Sequence, residues 1–132
     1  MIWIPMVEHI VRLHSKVTAR SGGSDGVRDF GLIESALMRA AAGFGDYDIY
    51  PTAVHKAAAV CCGLVGNHGF IDGNKRIGVA AMLLMLKKNG VVIQYTQQEL
   101  IELGLDLAKG LVSVEECILW IEQHMKQQKG VV

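Results

Sequence analysis

The chain has 132 residues, of which 51% are hydrophobic, so we expect a single domain over residues 1–132 with a core that needs no disulfide or metal. Thirteen basic side chains balance thirteen acidic ones, without the positive excess typical of proteins that bind duplex DNA. The longest apolar run, residues 77–86, falls short of the ~20 residues that a membrane-spanning helix needs, and the N-terminus lacks the basic start of a signal peptide. We expect a cytoplasmic protein that binds neither nucleic acid directly nor a membrane.

Hydrophobic residues at helical spacing predict three helices in the first half of the chain. The first follows Pro5 and ends at residues 21–23, where two glycines follow a serine. The second starts near Asp29, a residue type that often caps the first turn of a helix. The third follows Pro51 and ends at residues 66–67. Between the second and third helices lies an irregular segment rich in glycine and aromatic residues.

The next segment, His68–Arg76, contains one base, one acid, two cations and two glycines within nine residues. A helical pattern resumes at Lys75 and continues to residue 86, so the amides of residues 73–75 should form the first turn of a fourth helix. Free N–H groups and the positive end of the helix dipole make such a turn an anion site. Lys75 and Arg76 strengthen its preference for phosphate.

Three side chains of this segment have candidate roles, each with a simpler alternative. His68 can act as a general base near neutral pH, although a lone histidine is more often structural. Asp72 can help to hold Mg²⁺ that also binds phosphate oxygens, or can merely cap the helix. Phe70 is expected to pack beneath the loop and hold His68 in place. Together the residues describe phosphate chemistry on a nucleotide.

The last third of the chain predicts two further helices. Asn89–Gly90 ends the fourth helix, and residues 91–95 form a short extended link. The sequences Thr96–Glu99 and Ser113–Glu116 both have the form of a capping box, in which the side chains at the two ends bond each other's backbone amides. Six helices in all indicate a single all-α bundle, with the turn between the third and fourth helices as its active loop.

Residues His68–Arg76 resemble the signature H-x-F-x-[DE]-G-N-[GK]-R of Fic/Doc proteins, and the version with Lys75 is similar to the Doc (death-on-curing) toxin branch. Gly69 replaces the proline frequent in the Fic form, which we expect to loosen the loop, and Gly73 is the residue usual in that form. Other segments also look Doc-like: Gly26–Asp29, Leu32–Leu37, Tyr50–Pro51, Lys56–Ala58 and Asn89–Gly90.

The resemblance implies a six-helix Fic/Doc-like bundle that uses ATP and Mg²⁺. His68 is then the catalytic base that takes a proton from a target threonine or serine, and Asp72 positions Mg²⁺. The phosphates bind at the turn formed by Gly73, Asn74, Lys75 and Arg76.

The residue type at the position of Lys75 distinguishes two transfer reactions within the family. Fic proteins with glycine at this position transfer AMP, whereas the founding Doc toxin, with lysine, resembles a kinase that phosphorylates elongation factor Tu. A lysine would crowd the cradle for an α-phosphate, so we expect ATP to bind reversed, with its γ-phosphate facing His68. The alternatives are a Fic-type AMP transferase, a catalytically inactive binding protein and a phosphate-ester hydrolase.

The irregular segment before the third helix has two interpretations. It resembles the flap on which Fic/Doc proteins hold a target peptide as an added strand. The residues of this expected flap are Gly43, Phe44, Gly45, Asp46 and Tyr47. The alternative is a plain surface loop in which Phe44 or Tyr50 packs into the core.

An inhibitory helix with the pattern [ST]-x-x-x-E-[GN] restrains some Fic proteins, and these 132 residues contain no such pattern. Thr96 and Ser113 are followed by glutamate at the third position, where the inhibitory pattern needs the fourth. We therefore expect a separate antitoxin protein, whose C-terminal segment folds as a helix into a groove on the bundle.

Overall fold

A computed structural model describes residues 1–125, so the last seven residues of the expected domain lie outside the described part of the chain. In chain order the elements are α1 (Val7–Ser21), α2 (Phe30–Met38), β1 (Gly43–Phe44), β2 (Tyr47–Asp48), α3 (Ala53–Asn67), α4 (Asn74–Lys88), α5 (Gln97–Ala108) and α6 (Val114–Gln123). A 3-10 turn over Arg39–Ala41 extends α2. The predicted all-α class, the six helices and the short flap before the third helix are confirmed.

Side chains fix the starts of four helices, three of them at caps that the sequence predicts and the start of α3 at a cap that it does not. The Asp29 carboxylate accepts the amides of the first turn of α2, and the Thr52 hydroxyl accepts the amide of His55 in α3. Both predicted capping boxes form, at Thr96 for α5 and at Ser113 for α6. These caps satisfy amides that have no acceptor within their own helix.

Helix α3 occupies the centre of the bundle and packs against α2, α4, α5 and α6. It is buried on most sides, which explains why alanine and glycine are frequent along it. A Cβ on Gly78 of α4 would lie 2.6 Å from Cγ2 of Val65 and 3.0 Å from the carbonyl oxygen of Cys61, so α4 approaches α3 closely at this glycine. This close pair of helices positions the turn that joins them, residues 68–73.

The three cysteines, Cys61, Cys62 and Cys117, are free thiols where α3 and α6 meet. Cys61 and Cys117 are buried, and Cys62 is half-buried. Hydrogen bonding to Cys117 and then burial raise the pKa of the Cys62 thiol, so this group stays protonated. Within residues 1–125, none of the helices combines the length and apolar character that a bilayer crossing requires.

Candidate active site at the turn between α3 and α4

His68 ends α3 in a left-handed backbone conformation, with φ 53° and ψ 50°, and its side chain is exposed. A residue with a Cβ rarely adopts this conformation, which costs about 1–2 kcal/mol unless the surroundings impose it. His68 is the only residue other than glycine with a positive φ among those that the structure describes. Such backbone strain is common at functional sites, where neighbouring structure holds it in place.

A distant segment, residues 22–29 between α1 and α2, holds this turn by backbone pairing; we call it the clamp segment. The amides of Arg28 and Asp29 donate to the carbonyl of Gly69 over 2.8 and 3.0 Å. Two residues further along the turn, the amide of Ile71 donates to the carbonyl of Gly26 over 3.0 Å. The turn is therefore fixed along its length by a short antiparallel contact.

Gly69 does not loosen the loop, contrary to the expectation from its replacement of proline. The residue is buried, and a Cβ on it would lie 2.6 Å from Cγ1 of Ile33 and 3.3 Å from the carbonyl oxygen of Asp29. There is thus no room for a side chain. Gly69 lets the turn lie directly against α2.

Arg28 of the clamp segment also holds the end of α3. Its Nε donates to the carbonyl of His68 over 2.7 Å, and its Nη2 donates to the carbonyl of Asn67 over 3.3 Å. These carbonyls lie at the C-terminus of a helix, where a cation is favourable and intrahelical donors are absent. Arg28 therefore stabilises the strained backbone from which the imidazole of His68 projects.

Phe70 and Asn74 form the inner side of the turn. Phe70 is buried, as predicted, and its ring stacks on His14 of α1 with 3.8 Å between ring centroids. The side-chain amide of Asn74 bonds the backbone of Phe70 twice: Oδ1 accepts the amide and Nδ2 donates to the carbonyl, each over 3.0 Å. The side chain of Asn74 is thus occupied in shaping the loop, so this residue can reach a phosphate only through its backbone N–H.

Helix α4 begins at Asn74 with Gly73, at φ +77°, in the capping position. No side chain of the described residues caps this end, and the first helical bond runs from Ile77 N to the carbonyl of Gly73 over 2.9 Å. The amides of Asn74, Lys75 and Arg76 therefore lack intrahelical acceptors. They lie at the positive end of the helix dipole, one residue later than the amides of residues 73–75 for which the sequence predicts an anion site.

Asp72 is not the N-cap of α4, which was one of its two interpretations. Its Oδ1 accepts the amide of Gly73 over 2.8 Å, and its Oδ2 accepts the amide of Ser24 over 3.3 Å. The side chain is exposed beside the first turn of α4. A Cβ on Gly23 would lie 2.6 Å from Oδ2, so the clamp segment leaves space for this carboxylate only because glycine stands there.

The two cations of the motif point to different neighbours. Arg76 donates through Nη1 to the carbonyl of Gly22 over 2.8 Å and to the hydroxyl of Ser21. The stem of Lys75 lies beside Gly104 of α5, where a Cβ would come within 3.5 Å of it. Arg76 is thus tied to the end of α1, and Lys75 lies between the turn and α5.

All the predicted catalytic, metal-binding and nucleotide-binding residues meet at one open cleft of about 400 Å³. Its lining consists of His68, Ile71, Asp72, Gly73, Asn74, Lys75, Arg76 and Ala108. Within residues 1–125, no group of three or more histidine, cysteine, aspartate or glutamate side chains could hold a metal ion by itself. A metal at this cleft would therefore need further oxygens, from a ligand or from water, in addition to Asp72.

The expected flap forms a two-stranded hairpin, in which Gly43 pairs with Asp48 and Phe44 with Tyr47. Gly45 turns the chain with φ +57°. The side chains of Phe44 and Tyr47 are 79% and 67% exposed, so the alternative in which Phe44 packs into the core is wrong, whereas Tyr50, the other residue of that alternative, is half-buried. The hairpin does not line the cleft and presents two aromatic side chains to solvent instead.

Sequence reasoning missed the clamp segment and His14. The first two glycines of the clamp segment, Gly22 and Gly23, predict only the end of α1, and nothing in the local pattern connects Arg28 with a histidine 40 residues later. Nothing in the sequence pattern assigns His14 of α1 a role in the loop. Both contacts exist only because the tertiary fold brings α1 and its following segment beneath the turn.

Comparison with known proteins gives one family. The family model described as Fic/DOC matches residues 3–86. The Toxin Doc of Mycolicibacterium smegmatis is 44% identical over 70 residues, which cover 53% of this chain and 54%, about half, of that toxin. The Protein kinase doc of Escherichia phage P1 is 31% identical over 107 residues, which cover 81% of this chain and 83% of the phage protein.

Proposed function

Because this chain belongs to the Fic/DOC family, we propose that it is a Doc-type toxin that transfers phosphate from ATP to a threonine or serine hydroxyl of a translation factor such as elongation factor Tu. The observation that carries the proposal is the cleft in which the exposed His68, the Asp72 carboxylate and the uncapped end of α4 meet. A general base, a carboxylate that can hold Mg²⁺ and an anion-binding turn are groups that serve phosphoryl transfer to a hydroxyl.

His68 takes the proton of the incoming hydroxyl. Its backbone is fixed by Arg28 and by the pairing of the turn with the clamp segment, which limits the positions that the imidazole can reach. Such restriction favours a reactive arrangement, because less orientational freedom is lost when the substrate binds. The exposed side chain leaves room for a loop of a protein substrate to approach.

The amides of Asn74, Lys75 and Arg76 bind phosphate oxygens, and the two cationic side chains add charge that complements the transferred group. Asp72 fits a Mg²⁺ ion because its exposed carboxylate lies at the phosphate-binding turn and keeps lone pairs free beyond the two amide bonds that it accepts. Mg²⁺ is commonly held by one or two carboxylates together with phosphate oxygens, and it neutralises charge on the phosphates.

Lys75 favours phosphate transfer over AMP transfer. The residue lines the cleft, and its stem is held against Gly104 of α5. A lysine here leaves less space than glycine for an internal phosphate of the nucleotide. We therefore expect ATP to place its γ-phosphate, and not its α-phosphate, near His68.

The flap would hold the protein target. Its hairpin exposes Phe44 and Tyr47, and backbone groups at a hairpin edge can pair with an extended peptide. Pairing of this kind fixes the backbone of the target while leaving its sequence loosely specified. A hydroxyl-bearing residue of the bound segment could then be presented to His68.

ATP labelled separately at its α and γ positions tests this function. The purified protein would be incubated with Mg²⁺, each labelled ATP and elongation factor Tu, and with a bacterial lysate as a second acceptor. We expect label to reach protein only from the γ position. The matched control is His68→Ala, which should transfer from neither. Label from the α position would replace the kinase with the AMP transferase, and no label from either position would favour the inactive binding protein.

An antitoxin is the proposed partner. An apolar groove of about 400 Å³ runs between α1, α4 and α5, with Lys75 and Arg76 at one edge. Its apolar lining consists of Val17, Val79, Ala80, Leu83, Leu100, Ile101 and Gly104. A helix with one apolar face and acidic residues near the two cations would suit this groove, and the apolar burial would offset the cost of ordering that helix.

A further inference from the structure

His14 of α1 is buried, with 1% of its surface exposed, directly beneath the turn between α3 and α4. Its Nε2 donates to the carbonyl of Asp72 over 2.7 Å, and its ring stacks on Phe70. A carbonyl can only accept, so Nε2 carries the proton. A Cβ on Gly73 would lie 3.3 Å from the same nitrogen. One side chain of α1 thus lies against Phe70, Asp72 and Gly73 of the loop.

The far side of the imidazole faces the clamp segment. Its Nδ1 makes no hydrogen bond within the described residues and lies 3.5 Å from Oδ1 of Asp25. Both oxygens of that carboxylate accept from the hydroxyl of Ser15, over 3.0 Å each. A buried nitrogen without a hydrogen bond costs about 1–3 kcal/mol, a cost that an apolar side chain at this position would not carry. Packing alone therefore does not explain a histidine here.

We propose that His14 is a positioning residue of the cleft. By donating to the Asp72 carbonyl and stacking on Phe70, it fixes the peptide between Asp72 and Gly73. That peptide sets both the direction of the Asp72 carboxylate and the start of α4. The claim that this positioning helps phosphate binding rests on the proposed function. The positioning of the loop by His14 does not rest on it. His14 lies beneath the loop, away from the reacting groups, so it is not catalytic.

Two substitutions at His14 distinguish the effect of its hydrogen-bond donor from the effect of its side-chain volume. His14→Leu fills similar space but cannot donate to Asp72, so the turn should lose its anchor to α1. His14→Gln places an amide donor at a reach similar to that of Nε2 and should keep the anchor. His9→Leu is the matched control, because it makes the same chemical change on the same helix at a site that bonds only the amide of Met6.

Amide hydrogen exchange measures how well the loop between α3 and α4 is ordered. The amide of Phe70 bonds Asn74 and that of Ile71 bonds Gly26, and Val60 in the centre of α3 reports global stability. Relative to Val60, we expect His14→Leu to lower protection of both loop amides at least about tenfold, with His14→Gln and His9→Leu within about threefold of the wild type. Unchanged protection in the leucine variant, or equal losses in the leucine and glutamine variants, would overturn the proposal.

Two further measurements keep the outcome decisive. If His14→Leu does not fold, the ¹⁵N shifts of the wild-type imidazole decide, since a His14 whose Nε2 lacks a proton could not donate to Asp72. Titration with ATP and Mg²⁺, followed through the amides of residues 74–76, should show weaker binding in His14→Leu and retained binding in His14→Gln. Failure of the wild type to bind ATP would contradict the proposed function alone, because hydrogen exchange still tests His14.

Discussion

Two residues of the motif, His68 and Phe70, should respond to truncation in opposite ways. His68→Ala removes an exposed base, so transfer should fall roughly 10²–10⁴-fold while the free energy of unfolding changes little. Phe70→Ala removes a ring that is 2% exposed and stacked on His14, and should cost about 3–5 kcal/mol of stability. Label transfer from ATP and urea unfolding, measured on both variants, check this pair. An active His68→Ala variant would remove the proposed mechanism.

At the scale of single residues, the sequence predicted what lies close along the chain. His68, Asp72 and the first turn of α4 share nine consecutive residues, and their spacing alone indicates that they meet. The residues that hold this segment in place lie far from it in the sequence. Arg28 and His14 are separated from their partners in the loop by 40 and 58 residues, so no local periodicity could reveal them.

At the scale of helices, the close approach of α3 and α4 predicts an unusual result for a glycine substitution. Glycine to alanine within a helix normally stabilises by about 1 kcal/mol. Gly78→Ala should instead destabilise by about 1–3 kcal/mol, because its Cβ would meet Val65 and the backbone of Cys61. Gly66→Ala in α3 is the control, since a Cβ there meets nothing within 4 Å and should be neutral or stabilising. Thermal unfolding of both variants measures the difference, and similar shifts in the two would contradict this account of the packing.

The ion pair between Glu99 of α5 and His124 at the end of α6 predicts a dependence of stability on pH. His124 donates through Nε2 to Glu99 over 2.7 Å and through Nδ1 to the carbonyl of Trp120 over 2.6 Å. Burial by itself lowers the pKa of His124, but these two bonds outweigh it and raise the pKa above 6.5. The bond from His124, and then those from Thr96, lower the pKa of Glu99 from 4.5 to about 2.

The signs of these shifts define a pH window. The contribution of Glu99 is present above pH 4.5 and is lost as the pH falls toward 2. The contribution of His124 is full below pH 6.5 and is lost as the pH rises through its raised value. The wild type should therefore exceed His124→Gln in urea resistance by more at about pH 5.5 than at about pH 8.5. If the difference in urea resistance between the wild type and His124→Gln were the same at both pH values, the ion pair between Glu99 and His124 would not stabilise the fold.

The helices themselves were well predicted because their signals are local: caps, glycine stops and apolar spacing define α3, α5 and α6 within a few residues. The conformation of the flap could not be predicted from such local signals. A segment such as Gly43–Tyr47 has no periodicity, and only the tertiary structure shows that Phe44 faces solvent while the backbone pairs as a hairpin.

At the scale of the whole molecule, the apolar groove predicts where the proposed antitoxin would bind. Expression of this chain alone should arrest growth, and co-expression of the proposed antitoxin, which we expect to be encoded beside the gene, should restore it. Ile101→Glu places a charge in the groove at a side chain that is 47% exposed, so the fold should survive while rescue is lost. Leu105→Glu, on the same helix and 43% exposed but outside the groove lining, should still be rescued. Growth curves of the paired strains, supported by co-purification, measure this; harmless expression of the soluble wild type would contradict the toxin function.

The clamp segment has a consequence for when the cleft can form during synthesis of the chain. Domains fold on the ribosome as their parts emerge, N-terminal parts first, at roughly 5–20 residues per second. Residues 22–29 emerge long before the turn that they hold, and α4 must follow before the amides of residues 74–76 line up. A nascent chain would thus carry no working cleft until its first four helices have left the exit tunnel. Under the proposed function, the order in which the two halves of the site are built would delay the activity against translation until most of the chain has been synthesised.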